Sequence, residues 1–440
     1  MDNLSEKIRA IVQRAENECP YYRDLYSRAG IDINSFSGLN DVAQLPIVTP
    51  IDLSANARLF KSEKVVVYRV TSSSGTVQSP KTLFRTAKDT ETSVEVMCRL
   101  FSLAGLDAGD CLWIGQPFDL AHLGYISLEA CKKLGILAIP GGLSVTDQRM
   151  IDLLSFFQPN AIFTSPSRMC QITQHYLNSG GKPLQIAKIL LAGEPCSAAQ
   201  RCQIRDFWQT DPHNLYGSEE TDGLAGSCSE HRGLHFMDDL YYLELVEPGT
   251  DKRVPDGHAG EAVITSLYFE GTPLIRYRLG DIIKPISGQC PCGRRWSRIK
   301  VIGRSTQTFF LYDGIKLYSH QIRSALTTVY PELEAYQAVL RRGRDGADEI
   351  EIVTAAIVGV SQGMLDNIEE ALWSSSLDLA AAKDIGKLRF RITPNGEMLM
   401  TQRGKTPELI DLRDNSGTEL RRNNLPNSER ESLANSAIQI

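Results

Sequence analysis

Thr71-Ser-Ser-Ser-Gly-Thr-Val-Gln-Ser-Pro-Lys81 is a hydroxyl-rich, glycine-containing turn that ends in a lysine. Backbone N–H groups and hydroxyls in such a turn form a concave nest of donors, which favours a polyanion such as a triphosphate. It is not the common nucleotide loop, because the G-x-x-x-x-G-K-[ST] pattern is absent and Lys81 lacks the required upstream glycine. Ser/Gly-rich loops are also ordinary flexible turns, so the other stretches must supply the rest of a site.

Five do so. Ala192-Gly-Glu-Pro195 carries a glycine that lets a flat base approach the backbone, so Gly193, Glu194 and Pro195 are candidates beside a purine. Tyr216-Gly217-Ser-Glu-Glu-Thr-Asp222 offers an aromatic face for stacking and carboxylates for a magnesium-type cation. Arg276-Tyr-Arg-Leu-Gly-Asp281 ends in a carboxylate suited to accept both hydroxyls of a ribose, Gly303-Arg304 sits at a domain junction, and Gly404-Lys405 offers a mobile cation. Each has a plain alternative: a turn acid for Asp281, a surface ion pair for Arg304, a solvated lysine for Lys405. A separate signal is Cys290-Pro-Cys292 together with Cys228-Ser-Glu-His231-Arg-Gly-Leu-His235. Three thiols and one imidazole can close a tetrahedral structural zinc site, with either His231 or His235 as the fourth ligand; the alternative is unrelated reduced cysteines.

These stretches need a framework that puts them at strand ends. Residues 3–30 read as a helix, a break at Pro20 and a second helical segment, and Val65–Val70 reads as a strand leading into the hydroxyl-rich loop. From residue 87 to 208 helical and strand patterns alternate, which predicts a parallel sheet covered on both faces, with ligands at the carboxyl ends of its strands. From about 236 the pattern changes to strands separated by turns, including Tyr241–Val246, Glu261–Ser266 and Leu274–Tyr277. Past Gly303 it becomes a small α+β unit. The expected fold class is α/β: a large N-terminal domain (1–305) with parallel sheets flanked by helices plus a β section, then a small mobile α+β domain (306–415) and a loose tail (416–440).

The chain has 440 residues, 42% of them hydrophobic and 23% charged, with a formal net charge of −6. That suits a multidomain globular protein and gives no basic surface for nucleic acid or an anionic membrane. No apolar run is long enough to span a bilayer, no secretory signal opens the sequence, and ten scattered cysteines fit a reducing compartment. The expectation is a cytoplasmic protein, a homodimer being compatible with it.

In order and wording these motifs resemble the adenylate-forming superfamily of acyl-CoA synthetases and adenylation domains, specifically its phenylacetate–CoA ligase branch. Cys19-Pro-Tyr-Tyr-Arg-Asp-Leu-Tyr-Ser-Arg-Ala-Gly30, Leu45-Pro-Ile-Val-Thr-Pro-Ile-Asp-Leu53 and Lys405-Thr-Pro-Glu-Leu-Ile-Asp411 extend the resemblance over almost the full chain. The resemblance implies ATP, magnesium and coenzyme A as cofactors and a small carboxylic acid as substrate, an aryl acid such as phenylacetate, benzoate or a substituted relative being the expected class. Ser73, Ser74, Gly75, Thr76 and Lys81 would hold the β- and γ-phosphates; Gly193, Glu194 and Pro195 would border the adenine, with Tyr216 and Gly217 against it. Glu220 would bind magnesium, Asp281 the ribose with Arg304 assisting, and Lys405 would bridge the carboxylate and the α-phosphate. The acid would lie near Phe118, His122 and Tyr125. Similar Cys/His pairs in this branch favour structural zinc, and the Gly-Leu-His stretch favours His235 while the C-x-x-H spacing favours His231. The acceptor would be coenzyme A, with a separate carrier protein, an amine or a non-catalytic nucleotide-binding homologue as alternatives.

Five positions depart from the family pattern. Val77 and Gln78 replace a threonine and a glycine in the loop, and Glu219 stands where Ser or Thr is usual. Gln307 stands at the commonly acidic hinge, and Glu408 where a basic residue is usual.

Overall fold

The computed structural model describes residues 2–72, 81–143, 147–179, 184–196, 198–304, 308–311, 316–330, 333, 335–343, 347–354, 361–375, 379–380, 383, 386, 388–401, 408–413 and 420–422. Contacts divide the chain into two compact units: one formed by Met1–Cys196 and Gln200–Ile302, the other by Gly303–Ile440 with Ser197–Ala199.

Unit 1 opens with α1 (Asp2–Glu18), α2 (Pro20–Arg28) and α3 (Pro50–Phe60). Pro20 sits in the first turn of α2, where its missing N–H costs nothing. Thr49 and Asp52 form a reciprocal cap at the start of α3. A hairpin of β1 (Arg69–Ser72) and β2 (Thr82–Arg85) follows, then α4 (Ala87–Leu103), β3 (Cys111–Ile114), α5 (Leu123–Leu134), β4 (Leu137–Ile139), α6 (Asp147–Phe157), β5 (Ala161–Thr164), α7 (Pro166–Ser179), β6 (Lys188–Leu191) and α8 (Ala198–Trp208). The rest is β: β7 (His213–Ser218), β8 (Asp222–Gly226), β9 (Leu234–Phe236), β10 (Tyr241–Val246), β11 (Gly260–Ser266), β12 (Tyr277–Ile286) and β13 (Arg298–Arg304).

The strands after β2 join in one sheet, ordered β10-β11-β12-β13-β9-β8-β7-β6-β5-β3-β4. Its β4-to-β7 part is parallel and its remainder antiparallel where pairing is defined. The expected parallel sheet and β section are therefore continuous, with β7 as the strand that belongs to both. Alternate residues along the parallel strands enter different cores. Leu112, Ile114, Phe163 and Leu190 pack with residues of α4 and α5, whereas Trp113, Ile162 and Ile189 pack with residues of α6, α7 and α8. This two-residue alternation is what helices on both faces of a sheet require.

Two sequence expectations change. The strand before the hydroxyl-rich loop begins at Arg69 rather than Val65, because Val66 and Tyr68 are largely exposed and pairing with β2 starts at Arg69. Leu274–Tyr277 is not a strand of its own: Arg276 takes a left-handed φ of 45° and only Tyr277 begins β12. The buried Arg276 side chain donates to the carbonyls of Ala43 and Leu45 and to Glu244, itself fully buried.

Unit 2 contains β14 (Thr308–Phe310), β15 (Lys316–Tyr318), α9 (Ser319–Val329), β16 (Tyr336–Arg342), β17 (Asp348–Thr354), α10 (Gln362–Trp373), β18 (Leu388–Pro394), β19 (Leu399–Thr401), β20 (Leu409–Asp411) and β21 (Leu420–Arg422). A four-stranded sheet β18-β17-β16-β20 packs with the two helices in a second core. Leu420–Arg422, inside the stretch expected to be loose, pairs antiparallel with Leu399–Thr401, since its backbone finds a free strand edge there. Glu408 accepts from Arg323 and from the Tyr336 hydroxyl, which gives this departure from the family pattern a structural role. Among the described residues no helix is long and apolar enough to cross a membrane.

Candidate functional site

Ser73, Ser74, Gly75 and Thr76 lie outside the described residues, as do Val77, Gln78, Gln307 and Lys405. The hairpin that carries the loop is described, and it leads directly to the turn between β7 and β8. Lys81, just past the loop, forms an ion pair with Glu220. Glu220 is 4% exposed and also accepts from the Tyr277 hydroxyl at 3.0 Å. Burial alone would raise its pKa, but the Lys81 charge and hydrogen bond prevail and lower it. A carboxylate held ionised beside Lys81 has the donor chemistry that magnesium takes.

Arg85 at the end of β2 fixes this turn. Fully buried, it donates to the Glu219 carbonyl at 3.0 Å and to Asp222 Oδ1 at 3.3 Å, and its guanidinium lies 4.0 Å from the Phe269 ring centroid. Asp222 also accepts from Ser93. Sequence reasoning missed Arg85 because it belongs to no glycine-rich or acidic cluster, a lone arginine closing an apolar strand being its only trace; Tyr277 lies within the Arg276–Asp281 stretch, but nothing local directs its hydroxyl to Glu220.

The purine and ribose candidates fall on neighbouring parts of the same sheet. Gly193, just beyond β6, has a φ of 91° in the left-handed region, which needs glycine. The Glu194 carboxylate accepts from the Ser167 N–H at 2.6 Å, and Glu194 and Pro195 are exposed. The Tyr216 hydroxyl donates to Asp281 Oδ2 at 2.7 Å, bringing together two residues 65 positions apart. A β-bulge separates Tyr216 from Gly217, where a Cβ would come within 1.8 Å of the Asp222 carbonyl oxygen. Asp281 is 8% exposed on β12. Arg304 is exposed at the end of β13 and falls in unit 2.

The acyl candidates gather on the segment between β3 and α5 and on the first turn of α5. Phe118 meets Tyr125 edge to face with centroids 5.4 Å apart, and the Arg69 guanidinium lies 4.1 Å from the Tyr125 ring centroid. His122 is the residue preceding α5 and is almost fully buried, and neither ring nitrogen has a hydrogen-bond partner. Burial pulls its pKa down to about 4, keeping the imidazole neutral near pH 7. Its backbone N–H donates to Glu219 Oε2 at 3.2 Å. Burial and then the Asp222 charge push the Glu219 carboxyl up to about 7. Each unpartnered buried polar group of this kind costs about 1–3 kcal/mol unless a ligand or water meets it.

Cys228, His235, Cys290 and Cys292 bring one ligand atom each into a cluster whose members all lie within 4.8 Å of one another. Cys228 Sγ is 3.8 Å from Cys290 Sγ, and Cys292 Sγ is 3.3 Å from His235 Nε2. Zinc–sulfur bonds of about 2.3 Å at tetrahedral angles require sulfurs about 3.8 Å apart, so the thiol spacing suits zinc. His231 lies elsewhere. It occupies a turn after Cys228 with φ 49°, its Nε2 is 3.6 Å from Asp211 Oδ2, and its ring is 4.7 Å from that of His213. His235 is on β9, whose pairing with β13 carries its ring to the Cys290–Cys292 turn.

No family model matches the chain. Over 433 residues it is 28% identical to the phenylacetate–coenzyme A ligase of Thermus thermophilus, covering 93% of this chain and 95% of that one. With the phenylacetate–coenzyme A ligase of Aromatoleum evansii it shares 30% identity over 348 residues, 78% of each chain. The chain belongs to the phenylacetate–coenzyme A ligase family. Among solved structures it matches a 2-hydroxyisobutyryl-CoA ligase in the postadenylation state, in complex with 2-HIB-AMP, with a TM-score of 0.72 and 20% identity. That match covers 94% of this chain and 90% of the other, a likeness of fold. Family membership agrees with the adenylate-forming resemblance read from the motifs.

Proposed function

We propose that this chain is an ATP-dependent, AMP-forming ligase that joins an aryl carboxylic acid to coenzyme A. In the first half-reaction a carboxylate oxygen bonds to the α-phosphorus of ATP as the bond to pyrophosphate breaks. In the second, the thiol sulfur attacks the acyl carbon, AMP leaves, and the thiol proton passes to solvent. Membership of the family supports the reaction class. The observation that carries the nucleotide end is the Tyr216–Asp281 hydrogen bond between β7 and β12, together with the ion pair of Glu220, in the turn after β7, with Lys81 just before β2.

In this reading Ser73, Ser74, Gly75, Thr76 and Lys81 grip the β- and γ-phosphates, while the backbone around Gly193–Pro195 and the Tyr216 ring sandwich the adenine. Asp281 accepts the ribose hydroxyls, with Arg304 assisting. Glu220 holds magnesium, which neutralises phosphate charge when bound. The Lys405 cation bridges the two anions that must meet, lowering the barrier by electrostatics and positioning. Phe118 and Tyr125 give the pocket aromatic walls that suit an aryl acid. Cys228, His235, Cys290 and Cys292 hold a zinc ion that is structural, because four protein ligands leave no open position. It pins the antiparallel section that presents Asp281.

ATP–pyrophosphate exchange with a panel of aryl acids tests the reading. Exchange should require the cognate acid and fall by about 10²–10³-fold in Lys405→Ala. Adding coenzyme A should then yield thioester and AMP. Acid-independent exchange, or none with any acid, would overturn it.

A further inference from the structure

Adenylation requires the acid's carboxylate and the α-phosphorus of ATP to be held against each other, and different stretches of chain hold the two. In the ligase reading the phosphates lie against the hydroxyl-rich stretch that begins in β1, and the acid against the segment running from β3 into α5. Several ties among the described residues join these stretches. The Ser72 N–H donates to the Leu120 carbonyl at 3.1 Å. The Arg69 guanidinium donates to the Ala121 carbonyl at 3.4 Å and lies over the Tyr125 ring. A further tie passes through Glu219, whose Oε2 accepts the His122 N–H at 3.2 Å while the same carboxyl hydrogen-bonds the Thr71 hydroxyl.

This last tie starts from a braced position. Thr71 is fully buried on β1, paired opposite Leu83 of β2. Arg85 holds the backbone of the turn after β7, donating to the Glu219 carbonyl at 3.0 Å. From that fixed backbone the carboxyl reaches one residue of the hairpin and one of the acyl segment. A serine or threonine, usual at this position in the family pattern, is shorter and offers a single oxygen, so it cannot bridge the same pair. Misplacing reacting groups by about 1 Å can cost about 10²-fold in rate. A tie that fixes their relative position therefore acts on turnover more than on the affinity for either ligand.

We propose that Glu219 is a positioning residue that locks the acyl segment to the β1–β2 hairpin and so sets the register between the acid's carboxylate and the α-phosphate. This rests on the ligase reading and adds to it a residue that acts through Thr71 and the His122 backbone.

The test is ATP–pyrophosphate exchange with the aryl acid of the panel that exchanges fastest. Wild type is compared with Glu219→Ala, Glu219→Gln, Thr71→Val and the double variant Thr71→Val/Glu219→Ala. Turnover is expressed per competent site, counted from the stoichiometry of ATP binding by calorimetry, so a misfolded fraction does not imitate a loss of rate. Glu219→Ala should lower kcat by at least about 10-fold, with the KM for ATP and for the acid each moving by less than about 3-fold. Glu219→Gln keeps an oxygen for the His122 N–H and an amide donor for the Thr71 hydroxyl, and should recover most of that rate. Thr71→Val removes the hydroxyl and keeps the side chain's shape, so kcat should fall in the same sense. The double variant should lose less than the product of the two single losses, because both break one link. An unchanged kcat in Glu219→Ala, a loss confined to KM, a Glu219→Gln as slow as Glu219→Ala, or fully multiplicative losses overturn the proposal. If Glu219→Ala does not fold, an unchanged kcat in Thr71→Val overturns it. Each of these results leaves the ligase reading standing, since the wild type still exchanges. Absence of exchange by the wild type with every acid overturns both.

Discussion

Replacing Cys290 with serine should remove the zinc ion and loosen the antiparallel section. Cys228 and Cys290 lie 62 positions apart. Treating the metal as a cross-link, a closed loop of that length restricts the unfolded chain by about 4 kcal/mol on the chain-entropy relation used for disulfides. Spread over the unfolding entropy of a unit the size of unit 1, that corresponds to a fall in Tm of about 7 °C. Burial pushes the metal-free Cys228 thiol up to about 11, so metal uptake displaces protons and should weaken as the pH falls. The assay is elemental analysis of the purified protein, followed by thermal unfolding of wild type, wild type with a chelator, Cys290→Ser and Cys202→Ser. One equivalent of zinc is expected in the wild type and in Cys202→Ser, whose thiol is exposed on α8. Chelation and Cys290→Ser should lower Tm alike. Wild-type protein without stoichiometric metal, or Cys290→Ser with Tm unchanged to within about 1 °C, refutes the reasoning.

Two further outcomes follow from the same geometry. Tyr216→Phe removes the 2.7 Å hydrogen bond to the Asp281 side chain; hydrogen bonds to acidic groups contribute about 1.5–3 kcal/mol. The KM for ATP should therefore rise about tenfold or more with a smaller change in kcat, and an unaltered KM would show that the pair does not organise the nucleotide site. His122 supplies a pH dependence of known sign. Its folded pKa of about 4 lies below the ordinary 6.5, so its contribution is fully present above pH 6.5 and is lost as the pH falls toward 4, by about 3 kcal/mol. Denaturant unfolding should show that His122→Asn loses less stability than wild type between pH 7 and 4.5; parallel losses would contradict the burial argument.

Much of the site was legible because its chemistry depends on residue type and local order. A hydroxyl-rich turn after an extended segment, a glycine that must adopt positive φ at Gly193, and a carboxylate closing Arg276–Asp281 all announce themselves within a few residues. Alternating helices and strands likewise announce a covered parallel sheet. The less legible parts depend on pairing between distant segments. Val65–Val67 has strand-forming side chains but no partner strand, so composition misplaces the start of β1. Arg85 gains its role only when the hairpin folds against the Glu219–Asp222 turn, more than a hundred positions later.

Histidine choice at the metal cluster shows the same division. Cysteine and histidine types, and their spacing, were enough to propose a tetrahedral site, because ligand chemistry is a property of the side chain. They left the choice open, the C-x-x-H spacing favouring His231 and the Gly-Leu-His stretch His235, and the antiparallel pairing of β9 with β13 separates them, directing His235 to the thiols while the turn sends His231 toward Asp211. Glu219 is similar: its identity is plain in the sequence, but only the folded chain turns that carboxylate to the His122 N–H. By itself the sequence determined which chemistries were available and the alternation that builds the sheet. The tertiary structure decided which groups meet, since backbone pairing and burial between remote segments set distances that no local pattern encodes.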